Sequence, residues 1–118
     1  MALPSEAEVL RVYLGELDKH GHRPLYEVIV EKARKRGLAG ATVVRGVMGF
    51  GQRKRLHVAK VLRLSEDLPV VIEIVDKPER IEAFLPDLDQ LIEDGLVTLQ
   101  DVPAVFHRRS GDKNSDRK

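Results

Sequence analysis

The sequence predicts a single α+β domain, with elements in the order β-α-β-β-α-β over 118 residues. Two observations carry this. Four short runs are rich in Val, Leu, Ile and Thr, and two intervening stretches repeat their apolar residues at helical spacing. Glycine, proline or Asp-Gly punctuates the junctions.

The first strand is read at Glu8–Gly15, EVLRVYLG, closed by its glycine. A polar loop over Glu16–Arg23 follows. Pro24 suits the first turn of a helix, where its missing N–H costs nothing. Leu25, Val28, Ile29 and Ala33 share one helix face, and Gly37 is a natural stop. The second strand, Ala41–Met48, contains Gly46, which points to a bulge or a close backbone approach.

A loop runs from Phe50 to Val61. The third strand, Leu68–Val75, is nearly continuous in β-formers and suits a central position. Glu73 within it is expected to pair with Arg45 across the sheet. Asp76 is placed as the cap of the second helix, whose stripe is Ile81, Phe84, Leu85, Leu88, Leu91 and Ile92. Pro86 is expected to kink or break that helix near Leu85.

Asp94-Gly95 forms a tight turn into a fourth strand, Leu96–Val102. The order is that of a ferredoxin-like sandwich, an antiparallel four-stranded sheet with both helices on one face. Residues 1–107 are assigned to this domain. The polar tail, residues 108–118, is expected to be disordered. Apolar residues in both phases of the third strand leave the second sheet face needing cover, so an oligomer is expected.

The net charge of +1 hides a segregation. Residues 32–65 hold ten lysines and arginines and no acid, whereas residues 66–101 hold eleven acids against Lys77 and Arg80. Such a division steers anions to one face or pairs subunits head to tail. With no cysteine, disulfides, thiolate zinc sites and thiol catalysis are excluded. No apolar run has the length of a membrane span and no signal-peptide core is present, so the cytoplasm is the expected location.

His20 and His22 lack a fixed third ligand, and no metal site is assigned. Only Phe50 among the aromatics lies near the basic segment, so no stacking platform for nucleic acid is visible.

The stretch with most chemical content is Gly40–His57, GATVVRGVMGFGQRKRLH. Glycines let a backbone approach a ligand and expose its N–H groups, and Arg53, Lys54 and Arg55 add positive charge beside them. That combination suits an anion such as a nucleotide phosphate. The competing reading is a β-bulge with glycine at positive φ and Phe50 in the core.

Several phrases in order carry a resemblance: LRVYLGE at 10–16, PLYE at 24–27, GATVVRGVMGFG at 40–51, LSEDLPVVIEIVD at 64–76 and DGLVT at 94–98. Through them the chain closely resembles the DUF190 family, assigned to the PII-like (GlnB-like) superfamily. The resemblance spans Val9–Val105. It implies a trimer with its sheets facing inward, adenine nucleotide (ATP, ADP or AMP) bound in clefts between subunits, and a loop that touches a protein partner. A membrane transporter or channel is the implied partner.

Beside a PII sequence, Gly40 and Thr42 match the entry to the second strand, and Gly49-Phe50-Gly51 the Gly-Phe-Gly at the loop base. Gln52 falls close to the PII glutamine. In the tail, His107 stands for the first phosphate-holding arginine and Arg109 keeps the second.

The nucleotide-binding residues so assigned are Thr42, Gly49, Phe50, Gly51 and Gln52, with Arg53, His57, Asp94, Gly95 and Arg109. Departures are an extra residue between Thr42 and Gly49, a shorter loop without its tyrosine, and Leu96 where PII has a lysine. The implied activity is regulation without catalysis. The alternative is a small enzyme acting on a phosphorylated or anionic compound in the same cleft, with Asp94 and His57 as its acid–base groups.

Overall fold

The computed structural model describes residues 5–51, 56–58, 67–108 and 110. Its strands are β1 (Ser5–Gly15), β2 (Lys19–His20), β3 (Arg23–Pro24), β4 (Thr42–Arg45), β5 (Met48–Gly49), β6 (His57–Val58), β7 (Pro69–Asp76) and β8 (Leu96–Ala104). Helix α1 spans Leu25–Lys35, between β3 and β4, and α2 spans Pro78–Leu91, between β7 and β8.

The main sheet has the order β4-β7-β1-β8, with every pairing antiparallel. It is the ferredoxin-like arrangement expected from the element order. β2 pairs with β3, and β5 with β6, in two small hairpins outside that sheet. The first of these occupies the loop predicted over Glu16–Arg23.

Side-chain alternation along the strands decides the two faces. Leu10, Val12 and Leu14 of β1 and Val70, Ile72 and Ile74 of β7 point toward the helices. There they meet Leu25, Ile29 and Ala33 of α1 and Ile81, Phe84 and Leu88 of α2, all buried. The other face carries an apolar row across all four strands, Val44–Val71–Tyr13–Leu96, in direct register. Within one chain Val44 is 56% exposed and Leu96 57%.

Beside that row, Arg11 Nε donates to Glu73 at 3.0 Å and Arg11 Nη1 to Gln100 at 2.7 Å. Glu73 therefore pairs with Arg11 rather than with Arg45. Register places Arg45 opposite Val70 on the helix side, and its guanidinium turns to Glu16, at 3.1 Å.

Helix α1 ends as its glycine predicts. Gly37 has φ +76, its N–H bonds to Arg34, and Leu38 N–H bonds back to Ala33, a Schellman motif. The loop beyond is tied to α2 by charge. Arg36 forks onto Asp87 at 2.6 and 2.8 Å, and Arg80 donates to the Gly37 carbonyl. Asp76 is the last residue of β7, not the helix cap: it accepts from Lys77 N at 2.7 Å and from Ala39 N at 2.9 Å. It thereby joins the approach to β4 to the start of α2.

α2 also runs unbroken through Pro86. Pro86 is on the exposed side, so water can solvate the carbonyl that loses its helical partner. Among the described residues no helix is long and apolar enough to cross a membrane. The expected disordered tail lies outside the described residues, except for Arg108 and Ser110.

Candidate functional site

β4 stops at Arg45, and the chain passes over the start of β7 before pairing again as β5. Gly46 N donates to the Pro69 carbonyl at 2.7 Å. A Cβ on Gly46 would stand 2.8 Å from Pro69 Cγ, and one on Gly49 3.0 Å from the same atom. At Gly46 a side chain would force the proline ring to shift, and at Gly49 it would press tightly on the same ring. Among the described glycines only Gly21 and Gly37 have positive φ, so the bulge with φ > 0 does not occur at Gly46, Gly49 or Gly51. Phe50, 66% exposed, is not core either.

The opposite wall is the turn between α2 and β8. At Gly95 a Cβ would meet Leu14 Cδ2 at 2.9 Å, the Tyr13 carbonyl oxygen at 3.0 Å and Ile92 Cγ2 at 3.1 Å. The missing side chain lets this turn press on the end of β1.

The floor is the loop after β1. Gly15 N donates to Asp18 Oδ2 at 2.9 Å, Leu17 N to Asp67 Oδ1 at 2.8 Å, and Glu16 N to the Leu68 carbonyl at 2.8 Å. These bonds hold two carboxylates in place between β1 and β7.

Together these elements enclose a cleft of about 640 Å³. Gly49, Phe50 and Gly51 line one side, and Asp94, Gly95 and Leu96 the other. Tyr13, Asp18, Asp67, Pro69 and Val70 contribute to the floor and walls. Tyr13 and Leu96 belong also to the apolar row, so the cleft opens at the edge of the uncovered sheet face.

Of the sequence-assigned residues, the cleft gathers Gly49, Phe50, Gly51, Asp94 and Gly95, which are 43 or more positions apart between the two walls. Thr42 pairs with Glu73 at the other end of β4 and is not part of the lining. His57 lies opposite Gly49 in the β5–β6 hairpin. Gln52, Arg53 and Arg109 lie outside the described residues. Near the C-terminus Arg108 stacks on Phe106, with Cζ 4.4 Å from the ring centroid.

Sequence reasoning missed Tyr13, Asp18 and Asp67. Their only signal was position: Tyr13 and Asp67 lie in the phrases that end the first strand and precede the third, and Asp18 in the polar loop between the first strand and the first helix. Among the described residues no group of His, Asp and Glu is placed to hold a metal ion.

Comparison with known proteins agrees with this architecture. A protein of Thermus thermophilus, described as a candidate PII-like signaling protein, superposes with a TM-score of 0.64 at 16% identity, over 96% of this chain and 98% of its own. CPII of Thiomonas intermedia K12, a nitrogen regulatory PII-like protein solved with ADP, AMP and bicarbonate, gives 0.59 at 20% identity, over 86% and 91%. Identities this low establish a shared PII-like fold.

Sequence relatives lie nearer. A UPF0166 protein of Aquifex aeolicus is 37% identical over 99 residues, 84% of this chain and 93% of that protein. Another, of Methanocaldococcus jannaschii, is 39% identical over 99 residues, 81% and 89%. The DUF190 family model, described as "Uncharacterized ACR", matches residues 7–104. With that match across both walls of the cleft and every strand of the main sheet, the chain belongs to the DUF190 family.

Proposed function

We propose that the protein is a PII-like regulator that binds an adenine nucleotide in the Gly49–Gly95 cleft and signals through the segment 50–61 to a protein partner. The observation that carries this is the convergence of the loop base with the α2–β8 turn. The base of a loop that contacts a partner then forms a wall of the ligand site. A ligand favouring one loop arrangement shifts the loop's population by its differential affinity.

The working unit in this reading is a homotrimer in the cytoplasm. Covering the Val44–Val71–Tyr13–Leu96 row against other copies would place the cleft mouth at a subunit boundary. ADP and AMP in CPII, and ATP in the Bacillus subtilis GlnK complex (TM-score 0.54, 11% identity), support an adenine nucleotide as ligand. A transporter or channel is the proposed partner on family resemblance alone.

Calorimetry on the full chain with AMP, ADP and ATP tests the ligand, with Gly51→Asp as control. A Cβ at Gly51 meets no atom within 4 Å, so the variant should fold normally and lose nucleotide affinity at least tenfold. Absence of binding by all three nucleotides at millimolar concentration would remove the proposal's support.

A further inference from the structure

The sheet face turned away from the helices is not uniformly apolar. Register sets Thr42, Glu73, Arg11 and Thr98 in one row beside Val44–Val71–Tyr13–Leu96. Beyond that polar row the face returns to Val75 and Val9, with Gln100 next to them on β8. An ion pair therefore sits inside an apolar surface. Arg11 Nε donates to Glu73 Oε2 at 3.0 Å, and Nη1 donates to Gln100 Oε1 at 2.7 Å. The two charged side chains are 31% and 44% exposed within one chain, so part of their desolvation is already complete.

For affinity alone such a pair adds little, because burying two charges costs about as much as their attraction returns. What it adds is direction. A guanidinium carries five N–H donors in a rigid fork, and the bonds to Glu73 and Gln100 use two of them. Covering the others with Val or Leu side chains would leave buried donors without acceptors. Among the described residues of the main sheet, Arg11 and Glu73 are the charged side chains on this face, one of each sign. A partner of a single charge therefore gains nothing here, whereas a second copy of the same face brings both an acceptor and a donor.

We infer that the Arg11–Glu73–Gln100 network sets the register in which copies of this chain meet through the uncovered sheet face. A copy seated with its Thr42, Thr98 or Gln100 oxygens over the guanidinium meets the remaining donors. A copy slid along the strands by one row sets Val71 and Tyr13 there instead. Buried polar groups specify alignment in this way by making the wrong alignments costly. The inference rests on the reading of this face as the homotrimer contact.

The test is sedimentation equilibrium with native mass spectrometry on the full chain. Wild type is compared with Arg11→Met, Glu73→Gln, Gln100→Leu and the double variant Arg11→Met/Glu73→Leu. Positions 11, 73 and 100 lie outside the buried core, so each variant should keep the wild-type circular dichroism spectrum. Arg11→Met and Glu73→Gln each leave one charge to be buried without its counter-charge, and association should weaken by roughly tenfold or more. The double variant has no charge to bury. It should associate at wild-type concentrations or below, but as a mixture of stoichiometries where wild type forms one. Gln100→Leu keeps both charges, removes one acceptor and should broaden the stoichiometry in the same direction.

Two results would overturn the register role while leaving self-association intact. One is Arg11→Met and Glu73→Gln both associating within about twofold of wild type. The other is the wild-type stoichiometry alone in both the double variant and Gln100→Leu. A wild-type chain that is monomeric at micromolar concentration would instead remove the homotrimer reading, and this inference with it.

Discussion

Gly95→Ala places a methyl group where the turn after α2 presses on β1. The new carbon would lie 2.9 Å from Leu14 Cδ2, 3.0 Å from the Tyr13 carbonyl oxygen and 3.1 Å from Ile92 Cγ2. The two side-chain carbons can rotate away by a few tenths of an ångström. The carbonyl oxygen cannot, because Tyr13 is held between Val71 and Leu96 in a central strand. Overpacking of this kind costs about 1–3 kcal/mol. Since Gly95 is not at positive φ, alanine regains about 0.4–1 kcal/mol by restricting the unfolded chain.

The net loss is about 1–2 kcal/mol, which for a chain of 118 residues lowers the melting temperature by roughly 4–8 °C. Gly51→Ala is the matched control, with nothing within 4 Å of its Cβ, and should melt at or slightly above the wild-type temperature. Thermal unfolding followed by circular dichroism, at one fixed protein concentration, measures both. A Gly95→Ala melt within about 1 °C of wild type, or an equal fall for Gly51→Ala, would refute the view that glycine is demanded at position 95 by contact and at 51 by something other than packing.

Two further outcomes follow from charge and from the uncovered face. Glu8 is half-buried with Oε1 shielded from water and lacking a hydrogen-bond partner, and burial, followed by repulsion from Glu82 and Asp101, raises its pKa. The folded state therefore holds this proton more tightly than the unfolded chain. Its stabilisation is complete below the ordinary carboxylate range and is lost as pH rises through the raised folded value. Glu8→Gln should unfold at a higher denaturant midpoint than wild type at pH 7 and show a flatter pH profile between acid and neutral. A lower midpoint at pH 7 would contradict the sign.

Val44→Asp puts a charge in the middle of the apolar row, where Val44 faces Val71. Sedimentation equilibrium should report trimer for wild type and a shift toward monomer for the variant. A wild-type monomer at micromolar concentration would exclude association through that face.

How much was legible in the sequence depended on how local the cause was. Gly37 ends α1 through its own φ and the helix carbonyls just before it, and the expectation held. The β-branched run at 68–75 is the central strand β7, shifted by one residue. Charge partners were less legible. Arg45 and Glu73 are plausible neighbours in sequence terms, but a register of Thr42 against Glu73 sends the two side chains to opposite faces. Asp76 looked like a cap because it precedes Pro78, yet its second oxygen serves Ala39, which is 37 positions away. Pro86 was expected to interrupt α2, and its exposed position lets the helix continue.

Local sequence was enough to establish the order of the elements, the glycine-rich strand exit and the turn at Asp94-Gly95, since these depend on hydrophobic period and backbone freedom along a few residues. Packing between distant segments set the rest. It made Gly49 and Gly95 face one cleft, and made Pro69 the group that Gly46 and Gly49 must clear. It also built the cleft floor from carboxylates. The basic run at 53–55 suggested a site for anions, because composition reports which charges are nearby along the chain. Antiparallel pairing of β1 with β7 also brings Asp18 and Asp67 to the cleft floor, a placement set by a sheet register that depends on core packing far from either residue.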